Sequence, residues 1–103
     1  MTLGSNPPPL QVAECLLPGV TQASAAALAD RVKTELARST DQSRVAFLGS
    51  LLMPEDEVLL CLFTGPQDEV RSVSERAGLP FERILRCLGL DWHTTEPEKG
   101  TSQ

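Results

Sequence analysis

Apolar and polar positions alternate between two periods along the chain, and the switches divide it into six segments. Leu10 to Leu17 is apolar except for Gln11 and Glu14, and Pro18-Gly19 breaks it, which predicts a first strand. The pattern then changes to a helical one. Ala25, Leu28, Ala29, Val32 and Leu36 fall on one stripe of a helix that Thr21 is placed to cap and that ends near Arg38 or Ser39. Val45 to Met53 reads as a second strand stopped by Pro54, and Val58 to Phe63 as a third. The short acidic link between them predicts an antiparallel hairpin. Pro66 at the first helical position, Asp68 and Glu69 in the first turn, and Gly78 with Pro80 just past the end bracket a second helix, whose buried face is Val70, Val73 and Ala77. A fourth strand runs from about Arg83 to Leu88.

Strand, helix, strand, strand, helix, strand is the order of the ferredoxin-like split βαβ fold, an α+β class. It implies a four-stranded antiparallel sheet, strands 1 and 3 central, with both helices on one face. In strand 2 the alternate sets are Val45, Phe47, Gly49, Leu51 and Ala46, Leu48, Ser50, Leu52. In strand 3 they are Leu59, Cys61, Phe63 and Val58, Leu60, Leu62. Both sets in each strand are apolar, whereas an antiparallel sheet with one wet face alternates apolar with polar. The face away from the helices therefore needs a cover, and a second copy of the chain, packed sheet against sheet as a homodimer, is the simplest one.

Length and composition set limits on this picture. One domain is the expectation for 103 residues, with 1–9 (Gly, Ser, Asn and a triple proline) as a lead-in, 10–92 as the folding unit and 93–103 as a polar tail. Nine basic against 14 acidic residues leave a net charge of −5, which argues against nucleic acid and anionic membrane surfaces as partners. No apolar run approaches the ~20 residues of a spanning helix. No basic segment followed by an apolar one opens the chain, so no secretory signal is expected and the cytoplasm is the expected location. The three cysteines, widely spaced and without a C-x-x-C, read as reduced thiols rather than a disulfide framework or zinc ribbon.

The run Met-Pro-Glu-Asp-Glu-Val-Leu-Leu-Cys-Leu-Phe-Thr-Gly-Pro from Met53, Glu-Arg-Ala-Gly-Leu-Pro-Phe-Glu-Arg-Ile from Glu75 and Leu-Leu-Pro-Gly-Val-Thr from Leu16 cover most of residues 10–90. Together they resemble a small bacterial domain family that includes an actinomycete nickel-binding protein. The resemblance implies a dimeric ferredoxin-like fold and, in at least one relative, cytosolic nickel binding. Relatives often carry a histidine before the Ala-Gly-x-Pro turn. Here Val73-Ser74-Glu75-Arg76 has none, so no ligand is carried over.

Three residues stand out as candidate ligands for nickel or another divalent metal. His93 is the sole imidazole, with Asp91 and Glu96 near it in sequence, and imidazole with carboxylate suits borderline divalent ions; an exposed tail histidine is the plainer account. Cys61, with Cys15 and Cys87, lies on three neighbouring strands if the order is 4-1-3-2, so two or three thiols can share a face; core packing is their plainer account. Glu14 is a carboxylate inside a central strand, either at a pocket edge as base or ligand, or paired with Arg83 or Arg86 on strand 4. Ser50 lacks the context of a nucleophile. Glu55-Asp56-Glu57 reads as a solvated turn, the charges of helix 2 as an outward face with pairs such as Arg71 with Glu75, and Trp92 as a packing residue. These readings favour a small binding protein over an enzyme. The alternatives are a small-molecule binder or monooxygenase- or cyclase-like enzyme using an apolar cavity of the dimeric fold, and a structural or regulatory dimer with no site.

Overall fold

The six expected elements are present in the computed structural model, which describes residues 9–38 and 44–89. They are β1 (Leu10–Leu16), α1 (Gln22–Arg38), β2 (Ala46–Met53), β3 (Val58–Thr64), α2 (Gln67–Arg76) and β4 (Arg83–Cys87). All strand pairings are antiparallel and the order across the sheet is β2-β3-β1-β4, so β1 and β3 are central. His93, with Asp91, Trp92 and Glu96, lies outside the described residues, as do the tail and, apart from Pro9, the lead-in.

Local chemistry sets the helix ends. At the start of α1 the Ser24 N–H donates to Thr21 Oγ1 at 3.0 Å and the Thr21 N–H donates back to Ser24 Oγ at 2.9 Å. This is a reciprocal capping box with serine in the usual place of Glu or Gln. Thr21→Ala should cost about 1 kcal/mol, a fall in Tm of about 4–8 °C for a domain of this size; an unchanged Tm would show the cap to be idle. Pro66 is the N-cap of α2 rather than its first helical residue, because its ψ of 141° is extended. The far end of α2 closes as a Schellman motif, with Gly78 N–H bonded to Glu75 O and Leu79 N–H to Ser74 O, both at 3.0 Å. Gly78 takes the left-handed conformation this needs, at φ 73°. Arg31 of α1 donates from Nε to Ala77 O and from Nη2 to Gly78 O, a cation on the negative end of α2 that ties the two helices together.

The register fixes which side chains share a face. Toward the helices point three rows: Leu52, Leu59 and Cys15; then Ser50, Cys61, Ala13 and Ile84; then Phe47, Phe63, Gln11 and Arg86. Most of these pack with Ala25, Val32, Val70 and Ala77 into a single core, and Phe47 meets Phe63 with ring centroids 5.3 Å apart. One expectation is corrected here. Strict alternation in β2 groups Phe47 with Gly49 and Leu51, but an extra residue, Leu48, lies between the pairs Phe47 with Phe63 and Gly49 with Leu62. This bulge, with Gly49 at φ 135°, moves Gly49 and Leu51 to the open face and Ser50 and Leu52 to the helix face.

The charges of α2 also do more than solvate an outward face. Glu69 pairs with Arg44 at 2.6 Å, Arg76 reaches Glu35 of α1 at 2.8 Å, and Arg71 lies over the Phe81 ring rather than pairing with Glu75. Each contact joins α2 to another part of the chain. The hydrogen bond from Arg44 holds the Glu69 carboxyl below its ordinary range. In the acidic hairpin Glu55 and Asp56 are exposed as expected, but Glu57 is left-handed at φ 57° and accepts the Gly19 N–H on Oε2, pinning the loop after β1.

Candidate functional site

The face of the sheet away from the helices is mostly apolar. One row reads Gly49, Leu62, Val12, Leu85; the next reads Leu51, Leu60, Glu14, Arg83; beyond it come Met53, Val58 and Leu16. Leu51 is 57% exposed and Leu16 51%. These apolar positions adjoin one another across the four strands rather than lying scattered singly. Within these rows the only charged side chains are Glu14 and Arg83, directly paired in register, with Arg83 Nε donating to Glu14 Oε1 at 2.7 Å. The carboxylate holds the guanidinium above its ordinary pKa. Glu14 thus has the Arg83 partner that strand order implied. Arg86, the other candidate, is register-paired with Gln11 on the helix side.

On the helix face the two central strands bring two thiols together. Cys15 pairs with Leu59 and Cys61 with Ala13, so the cysteines sit diagonally, one residue pair apart on one face, and both are fully buried. The two thiols are close enough that each affects the other's protonation. The first proton leaves Cys15 the more easily, because the Cys61 S–H stabilises the thiolate, an effect opposed by burial and by the charges of Glu82 and Glu14. Cys61 is pushed far up by the neighbouring Cys15 and by burial. Cys87, in register with Leu10, is on the opposite face. Two of the three cysteines therefore meet, and the third does not.

The ligand candidates do not assemble in one chain. Glu14 and Cys61 are on opposite faces of the sheet, and His93 is outside the described residues. Among the described residues no three His, Cys, Asp or Glu side chains are grouped to hold a metal ion. Grooves lined by described residues open on the helix side, among them one of about 410 Å³ and one of about 560 Å³. The first is lined by Gln22, Ala25, Ser50, Leu52 and Leu59; the second has Arg31 and Gly78 on its wall. Sequence reasoning passed over Arg31 and Gln11, because a cation on a helix surface and one polar residue in a strand carry no pattern of their own. Gln11 is buried, donating to Gly65 O at 3.2 Å while its Oε1 has no partner among the described residues.

No protein-family model matches the chain, and no curated protein matches it. Among solved structures, SCO4226 from Streptomyces coelicolor A3(2), known from its crystal structure, is similar to it with a TM-score of 0.59. The likeness is one of fold. Sequence identity is 24%, over 74% of this chain and 91% of that one, so the α+β architecture is shared through nearly the whole neighbour. No described helix is long and apolar enough to cross a membrane.

Proposed function

We propose that the chain is a small, non-catalytic binding protein that works as a homodimer, with the open sheet faces packed together. The apolar open face carries this reading. A second copy is the occupant that fits, because the face is internally neutral: its two charges cancel within the Glu14–Arg83 pair, so an identical face meets no net charge although the whole chain carries −5. Size supports the same occupant. Four strands about 4.8 Å apart, of seven, eight, seven and five residues, make a plane of roughly 19 by 23 Å at its longer strands, so an interface near 800 Å² per partner takes the whole face and its rim, including exposed Leu48 and Leu88. Three free cysteines fit a reducing compartment, the cytoplasm.

The nickel binding that the family resemblance implies has no complete site within one described chain, since Glu14 and Cys61 face opposite ways. Glu14 lies where a dimer would enclose it, beside the partner's sheet. Binding across that interface is the form of the nickel reading that the fold leaves open, and the cleft between the sheets is where a small molecule would sit instead.

Sedimentation velocity of tag-free protein tests the dimer. The wild type should run at twice the chain mass. Leu51→Glu, which places a carboxylate on an already exposed position, should run as a folded monomer with association weakened by at least about 100-fold. A monomeric wild type sinks the proposal. Calorimetric titration of the metal-stripped protein with nickel, repeated on His93→Ala and Cys61→Ser, then decides the ligand: stoichiometric binding lost in His93→Ala and kept in Cys61→Ser supports an interface metal, and no heat removes nickel from the reading.

A further inference from the structure

We propose that Cys15 and Cys61 form a two-coordinate site for one soft monovalent cation of the copper(I) class, reached through the groove between α1 and β2. Position comes first. The two thiols face the same side from the two central strands as diagonal neighbours one residue pair apart, while their neighbours across the sheet, Ala13 and Ser50 beside Cys61 and Leu59 beside Cys15, supply no competing ligand. Soft thiolates select copper(I), and a filled-shell monovalent ion is satisfied by two of them in a line, whereas nickel and zinc require more donors. The absence of a third His, Cys, Asp or Glu among the described residues therefore favours a low-coordinate ion over a divalent one.

Access and charge fit as well. Leu59 and Ser50, the immediate register neighbours of Cys15 and Cys61, line the groove of about 410 Å³, and its other wall is Ala25 and Ala26 of α1. Cys61 is fully buried beside its register partner Ser50, so the ion enters past that small side chain. A monovalent ion on one thiolate, with the second sulfur bound as a thiol, is neutral overall, which an apolar core tolerates; ion entry then releases the Cys15 proton to solvent. The site lies on the face opposite the dimer surface, so either proposal stands without the other.

The test is an anaerobic competition in which tag-free, metal-free full-length protein draws copper(I) from a chromogenic chelator. The wild type should take one equivalent per chain. Cys15→Ala and Cys61→Ala should each weaken retention by at least about 100-fold, and Cys87→Ala should leave it unchanged. Far-UV circular dichroism checks that the variants fold. X-ray absorption on the wild type, which depends on no variant, should show sulfur neighbours only and a coordination number of two. Failure of the wild type to compete, loss of binding in Cys87→Ala, or nitrogen and oxygen donors around the ion would each overturn the site.

Discussion

Phe63→Ala should destabilise the fold by about 3–5 kcal/mol, the upper range for a core substitution. Phe63 is fully buried on central strand β3, between register partners Phe47 and Gln11, and it belongs to the single core that both helices cover. Truncation removes the ring contact with Phe47 and leaves a cavity that neighbouring β1 and β2 cannot close without breaking their ladders with β3. Against a total stability of about 5–15 kcal/mol, this leaves a substantial unfolded population in the variant. Phe47→Ala is the control, because Phe47 is on edge strand β2 and only half-buried, so its removal opens toward solvent rather than a void. Urea denaturation should show a lower midpoint with an unchanged slope for both, the shift for Phe63→Ala being clearly larger. Equal shifts would mean that the core is not organised around β3.

The same two strands show how far the sequence could be read. Element order was legible because periods of 3.6 and 2 alternate cleanly and because Pro18-Gly19, Pro54, Gly78 and Pro80 punctuate the switches. Strand order followed from the chirality and connection rules that make βαββαβ fold one way, and with it came an arginine of β4, Arg83 or Arg86, as a candidate partner for Glu14, of which the register selects Arg83. What the pattern could not give was the face of each β2 residue. When both alternate sets are apolar, nothing in them marks an inserted residue, and the bulge at Leu48 reverses the assignment of every position after it. The candidate ligands failed to converge for a related reason: Glu14 and Cys61 are directly comparable in sequence prominence, but the parity of the register puts them on opposite faces. Parity also joins Cys15 to Cys61 and separates Cys87, a distinction that strand order alone leaves open. Contacts made by single long side chains, such as Arg31 across the end of α2, leave no periodic trace at all.

The ion pair on the open face, reaching from central β1 to edge strand β4, gives the proposed dimer its sharpest test. In the isolated chain the Glu14 and Arg83 side chains are 23% and 62% exposed, and an ion pair so solvated adds little to folding. Between two packed sheets the same pair loses its water. Removing one member then strands a charge in an apolar interface, so Glu14→Leu and Arg83→Leu should each weaken dimerisation by about 100-fold or more while barely moving the stability of the monomer. The double variant carries no charge on the face, and apolar replacement of a whole buried pair is neutral or stabilising, so it should dimerise at least as well as the wild type. Sedimentation equilibrium on the four proteins closes the cycle. Strong loss in the singles with recovery in the double places the pair inside the interface. Four equal dissociation constants would put it in water, and the subunits would then have to meet elsewhere.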